Sequence, residues 1–170
     1  MEKYDYLKKY VTNEENVNEF NAFYVISQKA VQEEEARLGY EFPEALKEFW
    51  YTVGYGFLTE SINNNHASDY INRISSPDQI ASIMLAEEDA PIIPGISEYF
   101  EEGDIPFFEI MNSSCFLVMK KDFSKPDMVY DMSGGEIDHF ERFIWRLYHE
   151  SPIYYENIIS RNLEKLKDKR

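Results

Sequence analysis

Apolar positions in the first half of the chain recur at helical spacing, broken by clear stop signals. Val17, Phe20 and Phe23 or Tyr24 follow a capping box formed by Thr12 and Glu15, and predict a short helix. Ile26, Val31 and Leu38 mark a second helix over residues 27–38, with "QEEEAR" on its polar side and Gly39 as its stop. Pro43 suits the first position of a third helix, whose inward stripe is Leu46, Phe49, Trp50 and Val53. "GYGF", residues 54–57, ends that helix and leads to a strand over 57–62. Residues 63–69 are polar and turn-rich, and Tyr70, Asn72 and Ile74 alternate as a strand would. Ser76, Pro77, Asp78 and Gln79 then combine an N-cap, a proline at N1, an acid in the first turn and a capping glutamine. The helix they open buries Ile80, Ile83 and Met84.

Beyond "PIIPG", an irregular crossing, the period changes. "IPFFEIM" (105–111), "CFLVMKK" (115–121) and "MVYDM" (128–132) read as three strands, the first two joined by Asn112, Ser113 and Ser114 at hairpin length. Ser133 to Glu136 hands over to a helix carrying Ile137, Phe140, Phe143 or Ile144, and Leu147. Ser151 and Pro152 cap a last helix with Ile158, Ile159, Leu163 and Leu166 inward. Segregated strands and helices predict an α+β fold: an antiparallel sheet with a C-terminal meander and helices packed against it. The chain of 170 residues reads as one domain, with a helical extension over 1–26, a core over 27–150 and a C-terminal helix over 151–170.

Charge narrows the function. The net charge is −15, and residues 61–110 hold one base against ten acids. Such a chain is poorly suited to nucleic acid, whose phosphates need clustered Lys and Arg, and well suited to a basic partner. No apolar run reaches the roughly 20 residues of a membrane span, and no signal-peptide pattern opens the chain, so a cytoplasmic location is expected. The single cysteine, Cys115, sits in an apolar strand and reads as a small buried hydrophobe.

Candidate chemistry is sparse. His139 and His149 fall ten apart, and neither they nor His66 has the spacing of a metal pair. Ser133 lacks a Gly-x-Ser-x-Gly elbow, and "GYGF" lacks the glycine spacing and Lys-Ser/Thr of a phosphate loop. The acids Glu33, Glu34 and Glu35 read as solvated helix surface. No metal, cofactor or catalytic residue is called for, and an enzyme ranks last. One segment stands out: "EEDAPIIPGISEYFEEGD", residues 87–104, has seven acids and no base, interleaved with isoleucines and aromatics. It is either a polar loop with apolar anchors or a partner-binding surface. The binding reading takes Glu87, Glu88, Asp89, Glu98, Glu101, Glu102 and Asp104 as the capturing charges. Tyr99 and Phe100 are then its aromatic hot spots.

"LGYEFPEALKEFW", residues 38–50, carries a further signal. Glu35-x-x-Leu38-Gly39, then Phe42-Pro43, then Lys47-x-Phe49 and the turn at Gly54 to Gly56 resemble the start of the SUKH superfamily. This is the fold of yeast cell-wall-assembly regulators and of many bacterial immunity proteins. "GDIPFFEI", "CFLVMKK", "MVYDM" and "FERFIWRL" continue the likeness, from about residue 27 to 147. The resemblance implies an α+β sheet without catalytic machinery. For a bacterial member it implies a protein that binds and neutralises a cognate toxin, often a nuclease. The alternative of the same fold is a regulatory scaffold with many weak partners. A basic protein toxin is the expected partner, and monomer and homodimer both stay open.

Overall fold

Among the described residues, seven short strands cross one sheet in chain order, each antiparallel to the next. They are β1 (Asn21–Tyr24), β2 (Tyr55–Leu58), β3 (Arg73–Ile74), β4 (Asp104–Met111), β5 (Cys115–Lys120), β6 (Met128–Asp131) and β7 (Glu136–His139). The helices are α1 (Gln28–Leu38), α2 (Glu44–Thr52), α3 (Pro77–Met84), α4 (Phe140–His149) and α5 (Tyr155–Asp168), with 3₁₀ turns at Asp5–Tyr10 and Ile96–Tyr99. This computed structural model describes residues 1–13, 20–64, 69–87, 95–111, 115–121 and 124–170. Glu15 of the expected capping box, Val17, His66, Glu88, Asp89, most of "PIIPG" and the 112–114 connection lie outside them. The fold is α+β, and the expected meander is its β4–β5–β6 portion.

Alternation along β5 shows how the sheet is covered. Leu117 and Met119 enter the main core, whereas Phe116 points the other way, into a smaller cluster with Ile83 and Ile96. The main core is aromatic: Phe49 meets Phe140 at 5.7 Å between ring centroids, and Phe108 meets Phe143 at 5.1 Å, nearly edge-on. Pairs of this kind are worth about 0.5–1.5 kcal/mol beyond their buried area. Trp50 is fully buried, and its indole N–H donates to the Ser75 carbonyl at 3.0 Å, joining α2 to the entrance of α3.

Helix ends follow the sequence closely. Ser27 Oγ accepts from Ala30 N at 3.2 Å, and Gly39 closes α1 with φ +82°. At α3 the Gln79 side chain reaches back to Ser76 N at 3.1 Å, as the capping box requires.

Three readings are corrected. The helix expected to include Phe20 and Phe23 gives way, over the described part, to strand β1. Burial there alternates, with Asn21 and Phe23 inward, so a period of two wins over a period near four. Ile137 belongs to β7 and not to the helix after it, because a turn built on Asp131 folds 136–139 back along β6. Leu163 and Leu166 are on α5 but exposed, since that helix docks through its first half. The docking uses Asn72, buried at φ +46°: its amide donates to the carbonyls of Leu58 and Pro152 (3.1 and 2.6 Å) and accepts from the Tyr155 hydroxyl at 2.6 Å.

Candidate functional site

The stretch between α1 and α2 is held by a carboxylate. Glu35 accepts from Phe42 N at 2.9 Å and lies 3.5 Å from the Lys47 ammonium, with both side chains largely buried. That explains the Glu-x-x-Leu-Gly, Phe-Pro, Lys-x-Phe spacing physically: one acid ties the end of α1 to the beginning of α2. It also corrects the reading of Glu34 and Glu35 as solvated surface, since Glu34 is mostly covered and pairs with Arg37.

Fixed in this way, Tyr40 to Glu44 form one wall of a cleft of about 470 Å³. The opposite wall is Lys120 and Lys121 at the end of β5, with Pro126 and Asp127 from the following loop. Lys121 places its ammonium 5.0 Å from the centroid of the Tyr40 ring, and Lys120 lies 5.4 Å from that of Tyr130. The Tyr40 hydroxyl donates to the Asp104 carbonyl at 3.3 Å. Burial, then the charges of Asp104 and Glu102, push that phenol above its ordinary range.

The acidic segment borders this cleft. Gly95, at φ +86°, opens the 3₁₀ turn Ile96–Tyr99, which is anchored by Ile96 and by Phe100, whose ring meets Phe116 at 5.9 Å. With these two turned inward, Glu98 and Tyr99 are exposed, Tyr99 to 72%. A tight turn follows: Asp104 N donates to the Glu101 carbonyl and Glu101 N to Asp104 Oδ2, both at 3.0 Å. The turn leaves Glu101 and Glu102 at its exposed tip. Asp104 itself is buried, its other oxygen 3.6 Å from Lys120, so it builds the turn. Lys121 N donates to the Gly103 carbonyl at 3.0 Å, which joins the turn to the cleft wall.

Glu98, Tyr99, Glu101 and Glu102 are therefore all exposed within one five-residue stretch, the acidic ridge. Phe100 is half-buried beneath it, and Glu87 is engaged elsewhere: Arg37 and the Ser82 hydroxyl hold its carboxyl below the usual carboxylate range. Glu88 and Asp89 lie outside the described residues. The cleft itself leaves no continuous mark in the sequence, because its walls lie some 80 residues apart. Its one local signal is the adjacent pair Lys120 and Lys121 in an otherwise acidic chain.

Other chemistry is quiet among the described residues. No group of three or more His, Cys, Asp and Glu side chains is arranged to hold a metal, and no helix is long and apolar enough to cross a membrane. Burial, with Asp131 nearby, pushes the Cys115 thiol up, away from the reactive thiolate. His149 stacks on Trp145 at 4.5 Å and sits 3.0 Å from the Trp145 carbonyl through Nδ1.

A seven-stranded antiparallel sheet carrying helices defines the chain as an α+β domain. The chain belongs to the SMI1 / KNR4 family (SUKH-1), which it matches over residues 25–155. It is also 31% identical over 146 residues to "Immunity protein YxxD" of Bacillus subtilis (strain 168), a match covering 84% of this chain and 92% of that protein. No solved structure matches the chain at a significant level.

Proposed function

We propose that this protein is a cytoplasmic immunity protein that binds a cognate toxin domain and blocks it without performing chemistry. The observation that carries the reading is its similarity, over most of both chains, to a protein named for immunity. The exposed ridge of Glu98, Tyr99, Glu101 and Glu102 supports the manner of binding. Carboxylates at the tip of a fixed turn attract a basic partner before contact, and an exposed tyrosine supplies area at low entropic cost once contact is made. The partner that fits is a basic toxin, such as a nuclease. Its active site must be cationic to hold phosphate, and a row of carboxylates can occupy it in the substrate's place.

The test is growth rescue. Secreted toxin domains from the same strain are produced one at a time in a sensitive host, with and without this protein. Full rescue from one toxin, through a stable one-to-one complex, is expected. Rescue from none, with many weak binders instead, would replace this reading with a regulatory scaffold. In the rescued pair, Tyr99→Ala should raise the dissociation rate about tenfold or more, as for a central aromatic contact. An unchanged rate would place the contact on another face.

A further inference from the structure

The cleft beside the ridge joins apolar walls to a pair of lysines, with Glu41, Glu44 and Asp127 also on its lining. Its walls are apolar rings and stems from Tyr40, Phe42, Pro43 and Pro126, and its volume of about 470 Å³ falls in the range of small-ligand sites. At its β5 end stand two lysines. Lys120 is partly committed to Asp104 at 3.6 Å. Lys121 is exposed and, among the described residues, has no carboxylate within ion-pair distance. Its stem lies against Gly103, where an added Cβ would come within 3.0 Å of the Lys121 Cγ, and its ammonium rests over the Tyr40 ring. A cation is thus held at the edge of an apolar hollow with no carboxylate in ion-pair distance among the described residues.

Of the three acids that line the cleft, two are engaged. Asp127 Oδ1 accepts from Ala45 N at 3.4 Å, and Glu44 lies 2.7 Å from Lys47. Glu41 is exposed on the opposite wall, so the mouth is polarised, with its positive end at Lys121.

We infer that this cleft receives an apolar side chain with an adjacent carboxylate, and that Lys121 recognises the carboxylate. Resting on the immunity reading, the occupant is an anchor segment of the bound toxin. The two halves of the surface then divide the work. The acidic ridge attracts basic proteins in general, whereas the cleft admits only one that presents a carboxylate where the overall field disfavours it. A toxin lacking that group would leave Lys121 covered and uncompensated, which is how discrimination against the wrong partner is built.

The test needs no toxin. The full chain, labelled with nitrogen-15, is titrated with 3-phenylpropionate, with its neutral amide and with phenethylammonium, which share one apolar body. The carboxylate should shift the amide signals of Tyr40, Phe42 and Lys121 saturably. The neutral amide should bind about fivefold more weakly, the size of a modest ion pair, and the ammonium more weakly still. Lys121→Gln should remove the preference for the carboxylate, and Lys125→Gln, whose parent side chain pairs with Glu136 outside the cleft, should keep it. Equal binding of the three probes, tighter binding of the ammonium, or no shifts at the cleft would each overturn the inference. Those results would leave growth rescue by the protein untouched. Conversely, failure to rescue with the carboxylate still preferred would remove the toxin as occupant and keep the site.

Discussion

Replacing Gly56 with alanine should cost about 3 kcal/mol or more and loosen the first strand from the sheet. An alanine Cβ there would stand 1.9 Å from the Ala22 carbonyl oxygen and 3.0 Å from the Phe23 Cα, with the backbone at φ +147°. Both obstacles are backbone of the paired strand, so no side chain can swing aside. Gly54 has the same relation to Tyr24, its Cβ position lying 2.1 Å from that carbonyl. The two glycines flanking Tyr55 thus let β1 lie close enough to bury Phe23 against Phe49, ring centroids 5.8 Å apart. For a chain of this size the loss should lower Tm by about 6–12 °C. Hydrogen exchange at the β1 amides should accelerate with it. A Tm within two degrees of the parent would show that β1 does not approach β2 so closely.

Asp131→Ala should be comparably severe, at about 2–4 kcal/mol by denaturant unfolding. Asp131 is buried to 4% exposure. Its Oδ1 accepts from Ser133 N at 2.9 Å and Gly135 N at 3.0 Å, and its Oδ2 accepts from the Asn162 amide at 2.7 Å. One carboxylate therefore shapes the turn that creates β7 and receives α5. Gly135 belongs to the same arrangement, since a Cβ there would press to 2.3 Å from the Asn162 amide nitrogen. Alanine would leave four donors without their acceptor, the Ser133 hydroxyl among them, whereas Asp131→Asn keeps one acceptor oxygen and should cost clearly less. Equal losses for the two variants would mean that the turn depends on packing and not on these bonds.

Much of the fold was legible because its signals are local. The Ser76 and Gln79 box, the Gly39 stop and the stripe of Phe140, Phe143, Ile144 and Leu147 each lie within a few residues and mean the same thing in any context. What was lost depended on distant partners. Phe20 and Phe23 fit a helical spacing as well as a strand, and only the glycines more than 30 residues later decide for the strand. Ile137 looked helical because the force that turns the chain back is a buried acid, and nothing in the composition distinguishes Asp131 from its exposed neighbours. Glu35 is hidden in the sequence for the same reason: its neighbours Glu33 and Glu34 are also acids, and only the fold gives it Phe42 N and Lys47. The exposure of the acidic segment was half legible. The sequence marked Glu98, Tyr99, Glu101 and Glu102, and the fold shows them exposed. Asp104 is distinguished from them by the turn it closes, and Glu87 by its bond to Arg37.

Association kinetics of the purified pair test most directly whether the acidic ridge captures a basic toxin, as proposed. Glu101→Lys with Glu102→Lys, compared with the parent at low and high salt, should slow association about tenfold or more at low salt and leave little difference at high salt. The dissociation rate should change far less. Association that is equally fast for both proteins, or insensitive to salt, would contradict capture by this ridge and move the binding surface elsewhere on the molecule.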